Sequence, residues 1–407
     1  MHPALKTASS KKRPRGARHH RSVDRRPDAR RDEVFETVIH DVAFGGSGVG
    51  KLPDGMTVFV PFVLTGETVR FRVIRRSRKH AEAELIEVLN PSPHRIPPRC
   101  PIFGQCGGCA YQHIQYDEQV RLKTKQIADI LLRIGGFNQI PKLQSFPAPA
   151  PYGYRNKIVV HSSRTGEIGF HGQWGHRIVD VADCPLASAK VNESLAILRR
   201  SSRPPPHAML TDSSERRNLP SGAFHQINTA MAIQLQKWVE IQTAPQKNGV
   251  LLDLYCGAGF FTFPLSSHFC ETWAIDQDHQ AIHAAIQTAE REHRRDIHFI
   301  AGDAAQQSGQ LIEILQARPL CAVLDPPREG ASPELIQFLN LLPRLEQIIY
   351  ISCNPATLAR DLRRLLSGED GRPPSPRFSL SQLAMFDMFP QTAQTEMAAI
   401  LQTANLA

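Results

Sequence analysis

No stretch of the 407-residue chain approaches the roughly 18 consecutive apolar residues that a membrane helix needs, which excludes a helical span. Nor does the segment 1–32 contain the apolar centre of a secretory signal. A disulfide framework is equally unsupported. Eight cysteines in a chain without a signal imply a reducing compartment, here the cytoplasm, and metal or catalytic duties for the thiols. A basic surplus on the body is also missing. The net charge is +9, yet residues 1–32 hold eleven Lys or Arg against three Asp, a surplus of +8 that leaves +1 for the other 375 residues. Residues 1–32 are therefore read as a disordered polycation that tracks phosphates without reading sequence, and the body is not by composition a DNA-binding module. With 41% hydrophobic residues over its 407 positions, the chain can bury a sizeable core and is expected to hold two or three domains.

What is present begins, over residues 33–90, with short strands. Val34 to Val42 and Thr57 to Val63 are apolar-rich, Val69 to Val73 alternates strictly, and glycine turns at Gly45 to Gly48 and Pro53 to Gly55 separate them, the pattern of a small β-barrel. Arg70, Arg72, Arg75, Arg76, Arg78 and Lys79 crowd one hairpin, a basic edge suited to RNA. Pro91, Pro93, Pro97 and Pro98 mark a linker. The segment 91–228 mixes strands and loops, with an amphipathic helix at Val120 to Ile134 and a basic run Tyr154-Arg155-Asn156-Lys157, whose Arg155 and Lys157 are expected to hold an RNA backbone. From 229 to 407 strands and helices alternate. Val250 to Leu254, Thr272 to Ile275, Ile297 to Ile300, Leu320 to Leu324 and Gln347 to Ser352 read as strands, and two later β segments, Gln382 to Phe386 and Met397 to Gln402, close the sheet. This is an α/β, doubly wound, mainly parallel sheet, whose ligands sit beyond the carboxyl ends of its strands.

Chemistry concentrates at those ends. Cys353 stands in Ser352-Cys353-Asn354-Pro355, between a strand and a helix opening near Thr357, where the helix macrodipole favours thiolate, the nucleophilic form. Asp325-Pro326-Pro327-Arg328 follows another apolar strand. The turn Gly257-Ala258-Gly259 lacks the third glycine of a dinucleotide site, since Thr262 stands there, so it is not built for a pyrophosphate. Asp276, at the next strand end, suits a ribose diol, and Asp303 suits an adenine amino group. An adenosyl ligand without phosphates fits this set, and S-adenosylmethionine is the natural candidate. Helix capping is the alternative use of each acid taken alone.

Three cysteines cluster at Cys100, Cys106 and Cys109, and Cys184 lies far along the chain in Asp183-Cys184-Pro185. Four thiolates satisfy either zinc or an iron–sulfur cluster. Zinc sites usually pair two short Cys-x-x-Cys units, so three thiols plus a remote one lean toward iron–sulfur, with zinc and a metal-free set as alternatives.

Phe224-His225-Gln226-Ile227-Asn228, Asp253-Leu254-Tyr255-Cys256-Gly257, Asp325 to Arg328, Ser352 to Pro355 and Asp387-Met388-Phe389-Pro390 with Glu396 together resemble the RNA uridine-5-methyltransferase family. Within that family the chain looks like the RlmD (RumA) type, which adds a TRAM barrel and an iron–sulfur cluster and acts on 23S rRNA. The resemblance implies a C-terminal class I (Rossmann-like) methyltransferase domain, an N-terminal TRAM/OB-like barrel and a central α+β domain with a [4Fe–4S] cluster on Cys100, Cys106, Cys109 and Cys184. It implies that Gln226, Tyr255, Gly257, Gly259, Asp276, Asp303 and Asp325 serve S-adenosylmethionine, with Asp325 at the reaction centre. Cys353 would add to carbon 6 of the base, and Glu396 would remove the proton from carbon 5. RNA is the expected partner of a monomeric enzyme. The transfer RNA branch of the family lacks the barrel and the cluster, which argues for ribosomal RNA. Two positions depart from the family's habit: Gln394 replaces a histidine, and Phe260 stands where relatives often have a polar residue.

Overall fold

A computed structural model describes residues 33–212, 226–243, 246–367 and 377–403. The basic tail 1–32 and the motif residues Phe224 and His225 lie outside them. The described chain opens with β1 (Val34–Val38), β2 (Asp41–Val42), β3 (Ser47–Lys51), β4 (Thr57–Pro61), β5 (Thr68–Arg76) and β6 (His80–Asn90), in the sheet order β1-β5-β6-β4-β3-β2. Because β1 and β2 are successive halves of one bent strand, the sheet curls until both its edges are that strand, around Ile39, Val58, Val60, Val69 and Phe71. The curl needs Gly48, where a Cβ would lie 2.2 Å from a methyl of Val63. Ion pairing narrows the basic edge expected on this sheet. Arg70 is held by Glu36 and Glu87, Arg76 by Asp54 and Arg75 by Glu82, whereas Arg72, Arg78 and Lys79 are exposed and make no ion pair among the described residues.

After the cysteine-rich loop come α1 (Tyr116–Gly135), β7 (Leu143–Phe146), β8 (Lys157–Ser162), β9 (Ile168–His171), β10 (Ile178–Asp180), α2 (Ala189–Arg199) and β11 (His207–Thr211). Strands β10-β9-β8-β11 form an antiparallel sheet packed on α2, whose N-terminus Ser188 caps, around Ile158, Val160, Val191 and Leu195.

The rest is α3 (Thr229–Gln242), β12 (Gln246–Leu254), α4 (Thr262–Ser266), β13 (Phe269–Asp276), α5 (His279–Arg291), β14 (Ile297–Ala301), α6 (Ala304–Gln310), α7 (Ile312–Ala317), β15 (Leu320–Leu324), α8 (Pro333–Leu341), β16 (Leu345–Ser352), α9 (Pro355–Ser367), β17 (Phe378–Phe386) and β18 (Glu396–Thr403). Val250–Leu254, interrupted only by Asp253, and the wholly apolar Leu320–Leu324 are buried on both faces, as a helix-covered parallel sheet requires. The sheet order is β14-β13-β12-β15-β16-β18-β17-β7, with β18 antiparallel to both its neighbours. Strand order reverses beside β12, where β13 lies on one side and β15 on the other, so the ligand crevice opens beyond Leu254 and Leu324.

One feature departs from a simple N-to-C division. Strand β7, from the middle of the chain, extends this sheet by pairing with β17, and Ile127 and Leu131 of α1 enter the same core as Leu252 and Leu362. Among the described residues, no helix is long and apolar enough to cross a membrane.

Candidate active site

Sheet register assembles the reacting groups. In the antiparallel β16–β18 pair Ser352 faces Met397, which sets the next residues, Cys353 and Glu396, opposite each other. In the parallel β15–β16 pair Leu324 faces Tyr350, which brings Asp325 to the same end. Three strands thus deliver Cys353, Asp325 and Glu396 to one rim of the crevice.

The loops that follow are stapled together. Asn354 accepts the Ala356 N–H at 3.1 Å and so caps α9, while its amide donates to the Arg328 carbonyl at 3.1 Å. Deeper, the buried Asp361 accepts from the Tyr350 hydroxyl at 2.7 Å and from the Ala331 N–H at 3.0 Å. Asn354 and Asp361 therefore fix the Asp325–Ala331 loop against the Cys353 loop, a duty that their sequence positions did not disclose.

The electrostatics differ from the sequence expectation at Cys353. Its half-buried thiol is pushed up by burial and by the Glu396 carboxylate, and Arg328 beside it pulls the other way. Burial and Glu396 thus work against the thiolate that the helix N-terminus and Arg328 favour. Arg328 was part of a motif with no role assigned, and it is the cation that faces both Cys353 and Glu396. Burial also raises Glu396 well above the carboxylate range, with Asp325 adding to the effect. Asp325 and the buried Asp253 are each raised to about 7, by burial first and by neighbouring carboxylates second. Asp253 accepts from Thr262 through one oxygen, and its other oxygen, buried, has no partner.

A stability prediction follows. A carboxyl raised in the fold to about 7 keeps its proton there while the unfolded chain has lost it, so folding stability falls as pH rises from about 4 to about 7. Asp325→Asn removes that loss. The variant is expected to unfold at higher temperature than the parent at pH 8, by on the order of a few kcal/mol of stability, and to match it near pH 4. Thermal unfolding at both pH values checks this, and a variant no more stable at pH 8 contradicts it.

The cofactor side is built on strain and backbone donors. Tyr255 leaves β12 with φ +64°, a costly conformation for a side chain of its size, and Gly257 and Gly259 follow at +55° and +90°. At Gly259 a Cβ would meet the Phe263 ring at 2.5 Å. Asp276 accepts the Gly257 N–H at 2.8 Å and the Asp278 N–H at 2.8 Å, so it props the turn. Asp303 caps α6 through the Gln306 N–H, the capping use set beside its cofactor reading above. Gln226 enters from the segment before α3, its carbonyl accepting from Asn156.

Elsewhere, Cys100, Cys106, Cys109 and Cys184 line one cavity with Arg155. Gln112 donates to the Cys109 sulfur at 3.2 Å and Gly108 N–H to that of Cys106 at 3.4 Å. Burial raises the thiols of Cys106, Cys109 and Cys184, Cys109 to about 12, and Arg155 lowers all three. Arg155 therefore faces the thiols and the Tyr154 ring rather than an RNA-facing surface, which corrects its expected role. Among the described residues, no three His, Cys, Asp or Glu meet as a set for a single metal ion.

Residues 210–404 match the family model described as tRNA (Uracil-5-)-methyltransferase. An uncharacterised RNA methyltransferase of Synechocystis sp. is 28% identical, over 91% of this chain and 96% of its own length. The tRNA (uracil(54)-C(5))-methyltransferase of Schizosaccharomyces pombe is 29% identical, over 90% of this chain and 77% of its own. Among solved structures, Pyrococcus abyssi tRNA (uracil-54, C5)-methyltransferase in complex with S-adenosyl-L-homocysteine shares the fold at a TM-score of 0.65 and 22% identity, covering 90% of this chain and 100% of that one. Fold and site together define an S-adenosylmethionine-dependent RNA methyltransferase. The match to the tRNA (Uracil-5-)-methyltransferase family model falls on residues 210–404, just under half of the chain.

Proposed function

We propose that the chain methylates carbon 5 of a uridine in RNA through a covalent adduct between Cys353 and carbon 6 of the base. The supporting observation is the pairing of Cys353 with Glu396 across two strands, with Asp325 and Arg328 beside them. Carbon 5 of uracil is a poor nucleophile. Addition of the Cys353 sulfur to carbon 6 moves the double-bond electrons into an enolate, whose carbon 5 then takes the sulfonium methyl and releases S-adenosylhomocysteine. Glu396 removes the carbon 5 proton, the carbon–sulfur bond breaks, and the double bond re-forms. Asp325 hydrogen-bonds the uracil edge as charge develops.

The raised acids support a cationic cofactor. Asp253, Asp325 and Glu396 are three buried carboxyls at one end of the sheet, all raised by burial, and a nearby sulfonium would favour their charged forms. Tyr255, Gly257, Gly259, Asp276, Asp303 and Gln226 are the proposed cofactor contacts.

Cys100, Cys106, Cys109 and Cys184 fit a [4Fe–4S] cluster. The thiols ring a cavity instead of meeting at a point, sulfur-directed donors are in place, and Arg155 offsets the negative charge of a thiolate-bound cluster. Its contribution would be to hold the loop 100–115. The curled sheet β1–β6 is read as the TRAM-like barrel, with Arg72, Arg78 and Lys79 toward RNA.

Ribosomal 23S RNA is the substrate favoured by the sequence. Uridine 54 of transfer RNA is a second reading, because two proteins named for that nucleotide align over nine-tenths of this chain, so architecture alone does not exclude it. RNA carrying 5-fluorouracil tests the chemistry: with fluorine at carbon 5 no proton can leave, so an enzyme–RNA adduct stable on denaturing gels should form. Absence of such an adduct with every RNA tried contradicts the covalent route. Mapping 5-methyluridine in ribosomal and transfer RNA, with and without this gene, decides the substrate.

A further inference from the structure

The loop between β17 and β18, residues 387–395, ends at Glu396 and is held from outside itself. Carbonyls along it accept from residues 110–228, well upstream: Met388 from Asn228, Phe389 and Gln394 from Lys123, Pro390 from Tyr154, and Gln391 from the N–H groups of Ala110 and Tyr111. Gln391 sits at φ +68°, a strained turn kept by Gln119, which bonds both its side chain and its N–H at 3.0 Å.

At the centre is Lys123, fully buried on α1. Its three ammonium protons find three acceptors: Asp387 at 2.6 Å, the Phe389 carbonyl at 3.0 Å and the Gln394 carbonyl at 3.0 Å. Asp387, itself fully buried, takes a second bond from the Tyr116 hydroxyl at 2.9 Å. Burial pulls the ammonium down and Asp387 pulls it back up. A buried pair of this kind is a poor source of stability, since desolvation of both charges offsets their attraction. Its value is positional, because an ammonium with three fixed acceptors leaves the loop one arrangement.

We propose that Lys123 is a positioning residue for proton removal: through Asp387 and the two carbonyls it fixes the approach to Glu396, and hence where that carboxylate lies against Cys353. The proposal rests on Glu396 acting as the base for the carbon 5 proton. Addition of Cys353 and methyl transfer depend on β15 and β16 and should survive loss of the clasp. Resolution of the methylated adduct should not.

The test uses Lys123→Met, alone and with Asp387→Asn, the double variant avoiding an uncompensated buried carboxylate. Tyr154→Phe, which removes a single bond to the loop, serves as the mild version should both fail to fold. With uridine RNA and labelled S-adenosylmethionine, the folded Lys123 variants are expected to lose about 10- to 100-fold in kcat with KM for RNA falling in parallel, since kcat/KM reports the unaffected steps up to methyl transfer. A methylated, denaturation-resistant enzyme–RNA adduct should accumulate, and Tyr154→Phe should slow its resolution severalfold. Adduct resolution at the parent rate in these variants overturns the proposal, as does loss of methyl transfer itself. Glu396→Gln runs alongside. If it too leaves no adduct, the base assignment has failed. If it traps adduct while the clasp variants do not, only the role of Lys123 has failed.

Discussion

Cys353→Ala is expected to reduce methyl transfer to RNA by about 10⁴-fold or more while leaving RNA and S-adenosylmethionine affinities within about threefold. The loss is this large because the thiol is not one stabilising contact among many. Without sulfur at carbon 6 there is no enolate, and carbon 5 has nothing with which to attack the methyl group. Affinity is spared because the side chain is small and half-buried, while the strain at Tyr255 and the turn at Gly257 stand independently of it. Cys353→Ala should also relieve the Glu396 carboxyl of a close neighbour and leave the fold intact. A tritiated-methyl assay with filter binding measures both halves, and appreciable product from the alanine variant sinks the covalent route.

The second large effect concerns stability. Replacing Cys109 by serine, or Cys100, Cys106 or Cys184 in turn, is expected to bleach a broad visible absorption of the anaerobically prepared protein. It should also lower the unfolding midpoint by about 10–20 °C, as loss of about 5 kcal/mol does in a domain of this size. The reason is local. Four half-buried thiols around a guanidinium, three of them with raised proton affinity (Cys106, Cys109 and Cys184), are a poor core by themselves, and the loop 100–115 adds only Ile102, Phe103, Tyr111 and Ile114 as sizeable apolar side chains. The N–H groups of Ala110 and Tyr111, just past Cys109, hold Gln391, so the same variants should also slow adduct resolution. A colourless protein with stoichiometric zinc, equally stable after substitution, contradicts this reading.

Much of the catalytic sheet was legible because parallel strands buried on both faces are near-continuous apolar runs. Val250–Leu254, Leu320–Leu324 and Gln347–Ser352 were recognisable for that reason, and the acids at their ends could be placed from topology alone. Other things were illegible for an equally physical reason. Strand β7, four residues long, has no periodicity to announce it, and its partner lies 240 residues away at Leu383. Lys123 falls among apolar helix positions where a sequence reading expects a solvent-facing lysine, and only the fold reveals Asp387 opposite it. The thiolate expected at Cys353 weighed the helix dipole but not burial or the Glu396 charge, which follows from sheet register. Half of the basic hairpin was neutralised by the cross-strand residues Glu36, Glu82 and Glu87 and by Asp54 in the β3–β4 turn, which a linear count of arginines does not see.

The late pairing of β7 with β17 has a consequence for synthesis. Helix α1 and β7 leave the ribosome long before the strands that they must join, Phe378–Phe386 and Glu396–Thr403, have been made. The curled sheet β1–β6 is complete by Asn90 and can fold early, but the central elements wait with Ile127, Leu131 and the Lys123 charge uncovered. Such long-range closure is slow and leaves an unpaired edge exposed in the meantime. A nascent chain stalled before residue 378 should therefore hold a protease-resistant N-terminal sheet and a sensitive α1. The first catalytic-core helix to be translated is among the last to be secured.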